Sequence, residues 1–331
     1  MKINYSHSNV SFKSNPLWTK KQQFNLNLYQ TDMSKSINNT LKFICENINK
    51  KTDENFKILD IGCCDGNLLR KIREIYKNAT TLGLELNPLM IRKAIQLDEK
   101  LGLNKNSKYI IENANNISLL NEKVDIVIMS KIMHEIYSYD NPLINNKNFS
   151  FKSIFLFFKN LFEKLNIGGK VIVRDPAKPN NPNLLFKIKN INKEQNLDSL
   201  SNIGSLSQYE LLKNFLMNFS PAKNFSFSDN KIILPKWLIS EFLRHRKFVF
   251  NDSIWYDELN EQYGVILPHQ FKRMAQKIGY GVKLSQNIGS LLDKNNKYNL
   301  SSSDFIIEPL NNISLSKEDF PCNFVSVLYK Y

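Results

Sequence analysis

The residues Ile58-Leu59-Asp60-Ile61-Gly62-Cys63-Cys64-Asp65-Gly66-Asn67-Leu68-Leu69 join a short apolar run, a turn with two glycines and the start of a helical pattern. A strand entering such a turn lets main chain approach a ligand closely, and the first N–H groups of the following helix point at it. The implied chemistry is recognition of a nucleotide-like molecule. Glycine also serves a tight turn for purely structural reasons, so the second element matters. Glu85 closes the next apolar run, where a carboxylate can accept hydrogen bonds from both hydroxyls of a ribose.

A second group of residues lies further on. The apolar run at 124–129 leads into Ser130-Lys131-Ile132-Met133-His134-Glu135-Ile136-Tyr137. Residues just beyond a strand's C-terminal end face the ligand crevice of a doubly wound sheet, so His134, Glu135 and Tyr137 are candidates for contact with a second substrate. His134 could take a proton from a hydroxyl or an amine; the alternative is a structural hydrogen-bonding histidine. Arg174-Asp175 ends the next apolar run on the same rim. Arg174 suits a carboxylate or phosphate, the alternative being an ion pair that fixes the pocket edge.

At these positions the chain resembles the class I S-adenosylmethionine-dependent methyltransferases. The resemblance covers residues 33–175 well and 264–331 loosely. It implies that Gly62, Cys64 and Gly66 line the methionine and ribose parts of S-adenosylmethionine, with Asp60 near the ammonium group. It further implies that Glu85 holds the ribose, Asn113 and Ala114 meet the adenine, and Ser130 and Lys131 flank the reactive methyl. Two positions depart from the family pattern. Cys64 stands where a middle glycine is usual, and Asn113, which keeps an acceptor oxygen without charge, stands where Asp is usual.

The elements that must position these residues alternate in sequence. Five short apolar runs, at 57–61, 81–86, 109–112, 124–129 and 170–174, are each followed or preceded by a helical stripe, the signature of a parallel sheet covered on both faces. Leu68, Leu69, Ile72, Ile75 and Tyr76 form one stripe, and Phe151, Ile154, Phe155, Phe158, Leu161 and Leu165 another, the latter expected to end at Gly168-Gly169. Asn87-Pro88 opens a helix as cap and first-turn proline. A leading helix is expected from Asp32, after an arm at 1–31. Residues 32–175 form the core, and 176–263, which carries a capping box at Ser207 and Glu210, reads as a helical insertion after the fifth strand. Residues 264–331 complete the sheet with a helix and an antiparallel pair at 280–285 and 324–329. The expected fold is α/β: doubly wound, mostly parallel and seven-stranded, of class I methyltransferase type.

Composition narrows the classes. At 331 residues and 42 % hydrophobic content the chain can bury a large core. The first residues lack a signal-peptide apolar stretch, and no segment reads as a membrane span, so a cytoplasmic protein is expected. Cys45, Cys63, Cys64 and Cys322 form neither a CxxC pair nor a Cys/His cluster, so no metal is expected. The formal charge of +14 comes mostly from lysines spread through an Asn- and Ile-rich chain. Such a spread is closer to a compositional bias than to a built phosphate-binding patch.

The methyl acceptor is harder to read, because methyl transfer needs mainly positioning and exclusion of water. The run after the fourth strand is not the Pro-Pro-aromatic signature of enzymes acting on exocyclic base amines, and no cysteine sits where a pyrimidine-carbon methylase needs its nucleophile. The leading expectation is O- or N-methylation of a small molecule beneath the insertion. A second is an RNA methyltransferase docking through Arg244-His245-Arg246-Lys247 among Trp237, Phe242, Phe248, Trp255 and Tyr256, where the alternative is a helix with its apolar face packed inward. A third is a non-catalytic methyltransferase-like binding or scaffold protein.

Overall fold

A strand buried at successive positions must be covered on both faces, and β1 (Lys57–Ile61) is buried at four successive positions. The computed structural model describes residues 26–139, 148–190, 202–222, 232–289, 305–310 and 319–331, with the side chains of 26–36, 189–190 and 305–308 left aside. Residues 1–25 of the expected N-terminal arm lie outside the described residues.

Around β1 stand β2 (Thr80–Glu85), β3 (Ser107–Ile111), β4 (Val124–Ser130) and β5 (Leu165–Pro176), all parallel to one another. They belong to a seven-stranded sheet in the order β3-β2-β1-β4-β5-β10-β8. Here β8 is Gly281–Ile288, and β10 (Asn323–Tyr329) runs antiparallel between β5 and β8. The strand order reverses beside β1, so the C-terminal ends of β1, β2, β4 and β5 open onto one crevice.

Two apolar layers hold the sheet. Ile58, Ile126, Ile128 and Ile172 face α1 (Leu26–Ile48) and α2 (Asn67–Ile75) through Ile44, Ile48, Leu69 and Ile72. Leu59, Val127, Met129, Val171 and Val173 face α5 (Phe151–Lys164) and α9 (Pro268–Ile278) through Phe157, Phe158, Leu161 and Phe271. Each such side chain contributes about 1.5–3 kcal/mol through burial. α3 is Pro88–Lys100, with Asn87 accepting from the Leu89 N–H at 2.9 Å, and α4 is Met133–Ser138.

Three details differ from expectation. The leading helix begins at Leu26, before Asp32. On α5 the buried stripe is Ile154, Phe157, Phe158 and Leu161, and Phe151 is exposed. That helix ends at Lys164, and Gly168 (φ +76°) turns inside β5, where its N–H donates to the Lys330 carbonyl at 2.8 Å. Pairing with β10 thus draws chain into the strand that local pattern would assign to the helix.

The insertion is not purely helical. Besides α6 (Gln208–Asn218), α7 (Lys236–His245) and α8 (Asp252–Glu258), it holds β6 (Leu185–Asn190) and β7 (Ile232–Pro235). These join β9 (Phe305–Pro309) in an antiparallel sheet of order β7-β6-β9. Its core is built from Phe186, Ile188, Phe215, Phe219, Phe242, Trp255 and Phe320. The subdomain therefore borrows β9 and Phe320 from the segment expected only to complete the main sheet. The capping box at Ser207 and Glu210 is formed, with Ser207 Oγ accepting from the Glu210 N–H at 3.2 Å.

Candidate active site

The turn after β1 is tied to β2 at its base: the N–H groups of Gly62 and Cys63 both donate to the Leu84 carbonyl, at 2.8 and 3.1 Å. Gly62 (φ +75°) and Gly66 (φ +72°) are left-handed, and a Cβ on Gly66 would lie 2.4 Å from the Tyr109 hydroxyl. Cys64 is also left-handed at φ +50°, a conformation that glycine takes freely and an L side chain adopts at a cost of ~1 kcal/mol. Its thiol is pushed up to about 12 by burial and by the charges of Asp65 and Glu85.

Glu85 sits where β2 ends, its carboxylate held by two amides. Oε2 accepts from the Cys64 N–H at 3.1 Å and Oε1 from the Asn87 N–H at 2.9 Å. A carboxylate oxygen can accept from more than one donor. Asp60 is 3 % exposed, and no donor among the described residues bonds its carboxylate. Burial, then the Glu85 charge, pushes it up to about 8. A buried carboxyl lacking a protein donor is matched to a cationic ligand group, and the fixed carboxylate of Glu85 to a diol. The donor set thus fits the amino group and ribose of S-adenosylmethionine.

At the end of β3, Asn113 caps a short 3-10 turn, Ala114–Leu119, its Oδ1 accepting from the Asn115 N–H at 2.9 Å. The amide oxygen is therefore used once already, and Ala114 stands half-buried beside it. Ser130 and Arg174 are register partners on β4 and β5, and the Lys131 N–H donates to the Arg174 carbonyl at 2.8 Å.

His134 is held by the residue that ends β5. Its main-chain N–H donates to Asp175 Oδ2 at 2.8 Å, and its ring Nδ1 donates to Oδ1 at 2.6 Å. The ring's Nε2 faces Glu261 Oε2 at 3.6 Å, and Glu261 Oε1 accepts from the Tyr139 hydroxyl at 2.6 Å. Burial alone would lower the proton affinity of His134, but the charges and hydrogen bonds of Asp175 and Glu261 outweigh it and carry the imidazole to about 10. The imidazole is therefore charged at neutral pH. His134, Glu135 and Glu261 offer donor atoms that all lie within 4.8 Å of one another.

The sequence-derived candidates separate into groups. Asp60, Gly62, Cys64, Gly66 and Glu85 come together around the β1 turn, and Ser130, His134, Arg174 and Asp175 meet at the β4–β5 rim. Glu135 is half-buried beside His134. Tyr137 is not brought to the crevice: it is buried, with its ring 5.1 Å from Phe151 and 6.0 Å from Phe149. Asp175 is fully buried and spends both oxygens on His134, which makes it a positioning residue. Glu261, Tyr139 and Tyr263 were not legible as site residues, since only the fold of the insertion carries Glu261 to His134. In that fold the Gln262 N–H donates to Ser138 Oγ at 2.9 Å, and Glu241 accepts from the N–H groups of Tyr263 and Gly264 at 2.8 and 2.6 Å.

The first two residues of the insertion's basic run are internal, while Arg246 is half-buried and Lys247 exposed. The Arg244 guanidinium is buried and donates to Ser240 Oγ and to the carbonyls of Ala177 and Pro321, at 2.5, 2.6 and 2.8 Å. His245 is wholly buried against the carbonyls of Glu241 and Glu258. Neither reaches a surface on which RNA could dock.

A family model described as a methyltransferase domain matches residues 52–218. No curated protein matches the chain in sequence. Among solved structures, a SAM-dependent methyltransferase from Methanosarcina mazei is 14 % identical, with 87 % of this chain and 96 % of that one covered at a TM-score of 0.43. An S-adenosylmethionine-dependent methyltransferase from Clostridium acetobutylicum is 11 % identical, with 92 % and 98 % covered at 0.46. An O-methyltransferase family protein from Burkholderia thailandensis is 8 % identical, with 89 % and 57 % covered at 0.44. None of the described helices is long and apolar enough to cross a membrane.

Proposed function

This chain belongs to the methyltransferase domain family and is a SAM-dependent methyltransferase, and from that premise we propose that it methylates an oxygen or nitrogen of a small molecule held between the β4–β5 rim and the inserted subdomain. The observation that carries the reading is the closure of the rim by the insertion: Glu261 and Tyr263 reach across to His134, which Asp175 anchors on the core side. A wall of that kind excludes water from the space beside it.

When bound, S-adenosylmethionine supplies a methyl carbon on a sulfonium, displaced in line by the acceptor's lone pair while the C–S electron pair stays on sulfur. The chain's own residues would position and neutralise. Asp60 takes the amino group and Glu85 the ribose, Asn113 and Ala114 border the adenine, and Gly62 and Gly66 keep the turn's backbone free of side chains. Ser130 and Lys131 stand by the methyl end, with Glu135 and Arg174 toward the acceptor.

His134 is the group proposed to receive the acceptor's proton, and its surroundings set a condition on that role. Held near 10, it carries a proton at neutral pH and accepts another only after losing the first. Turnover limited by this base should rise with pH up to about 10.

The assay uses methyl-labelled S-adenosylmethionine with a metabolite extract and, separately, total RNA. Label entering the metabolite fraction, and lost with Glu85→Ala, supports the reading. Label entering RNA with a steep salt dependence overturns the acceptor class. Saturable cofactor binding with no transfer to either fraction favours the scaffold alternative.

A further inference from the structure

Three basic side chains meet at the acceptor end of the crevice with no carboxylate at ion-pair distance among the described residues: Lys131, Arg174 and Lys247. Lys131, just past the end of β4, is tied to Arg174 on β5 by the 2.8 Å main-chain bond already described. Arg174 is half-buried, and the one hydrogen bond its guanidinium makes among the described residues is to Thr40 Oγ1 at 3.0 Å, a neutral partner that leaves most of its donors unspent.

Lys247 arrives from the insertion. Its amine lies 4.6 Å from the ring centre of Phe248 and 5.8 Å from that of Tyr263. Tyr263 packs in turn 4.8 Å from the His134 ring, and His134 is bonded to Asp175, the chain neighbour of Arg174. The aromatic stack thus carries the insertion's cation to the core's two. Lys131 is exposed yet surrounded: desolvation, then the charges of Lys247 and Arg174, push its amine down to about 8. Asp175, whose charge reaches Lys131, is committed to His134.

The crowding of Lys131 by the charges of Lys247 and Arg174 is unfavourable, and one compact anion would relieve it. The side chain of Ile132, next to Lys131, lies 3.1 Å from where a Cβ on Gly62 would stand, so the trio is at the methyl end of the cofactor turn, away from Glu85. We propose that Lys131, Arg174 and Lys247 form an anion subsite, and that the methyl acceptor carries a carboxylate or phosphate that docks there. The proposal rests on the small-molecule reading above and deepens it. The same chemistry could come from the cofactor's own carboxylate, and the experiment separates the two sources.

Wild type, Lys247→Gln and Arg174→Gln are saturated with S-adenosylhomocysteine and titrated with inorganic phosphate and, separately, acetate, with melting temperatures recorded. Lys247 is exposed, so its variant keeps the test intact if Arg174→Gln folds poorly. The expected result is saturable binding of either anion to the loaded protein, mutually competitive, and weakened about tenfold in each folded variant, since each loses one charge-assisted contact. S-adenosylhomocysteine affinity stays within about twofold of wild type.

Absence of anion binding to the loaded wild type overturns the subsite, as does binding that Lys247→Gln leaves unchanged. Anions that bind only without S-adenosylhomocysteine, with variants that lose affinity for it about tenfold, assign the cations to the cofactor's carboxylate and overturn the acceptor claim. Failure of wild type to bind S-adenosylhomocysteine at all would instead refute the cofactor pocket, which is a different failure.

Discussion

The carboxylate clamp on His134 should make the protein's stability depend on pH in a way that one substitution removes. In the folded chain Asp175 and Glu261 raise the imidazole from an ordinary 6.5 to about 10. A folded-state affinity above the unfolded one contributes stability that is complete below about pH 6.5 and is lost as pH rises toward about 10. At ~1.4 kcal/mol per pH unit the interval corresponds to roughly 5 kcal/mol, an upper figure for a buried coupled group. His134→Gln keeps a donor for Asp175 but no charge, and leaves Glu261 buried without its cation. The variant should be destabilised by ~3–5 kcal/mol near pH 6, with the deficit shrinking to ~1 kcal/mol or less near pH 10.

Urea unfolding of both proteins at intervals between pH 6 and 10 measures it. Asp60, held near 8, and Lys131, lowered to about 8, titrate in the same window in both proteins, so the quantity to follow is the difference between the two at each pH. A difference that stays constant across the range would refute the clamp. The same variant addresses catalysis: a turnover that falls while cofactor affinity holds, with the wild-type rise toward pH 10 abolished, is the result required of a base.

Glu85→Ala removes an acceptor expected to meet both ribose hydroxyls, two charge-assisted bonds at ~1.5–3 kcal/mol each, so calorimetry should show S-adenosylmethionine binding at least about a hundredfold weaker. The Cys64 thiol, pushed up to about 12, should be alkylated by iodoacetamide at pH 8 at least about a hundredfold more slowly in the folded protein than after unfolding, followed by peptide mass spectrometry. Arg244→Ala strips a buried guanidinium from the Ala177 and Pro321 carbonyls and from Glu241, and should lower unfolding stability by ~3–5 kcal/mol in urea. Any RNA affinity measured beside it should be unchanged in a still-folded variant, since that side chain is buried.

What could be read from sequence was local. A strand's period, the need for glycine at a left-handed turn and the cap at Asn87 are set by residues a few positions apart. The β1 turn, Glu85, the parallel order of β1 to β5 and the helices that cover them follow from those. The left-handed φ of Cys64 could likewise be anticipated from the glycine it replaces. The strands of the insertion escaped because β7 is four residues long and β9 pairs from beyond the resumed core. Their short alternations are indistinct until a partner strand satisfies them.

The acceptor side was decided by the tertiary fold alone. Tyr137 looked available in a rim motif, yet the helix that carries it turns its ring toward Phe149 and Phe151. Arg244 and His245 looked like a basic patch and became interior struts. Glu261, distant in the chain from His134, adds to Asp175 in raising that imidazole's proton affinity. Burial and charge pairing are properties of neighbours in space, and a sequence of one chain orders neighbours only along its backbone. It therefore pointed to a turn suited to a nucleotide-like ligand, while only the folded insertion brought Glu261 and Tyr263 to His134.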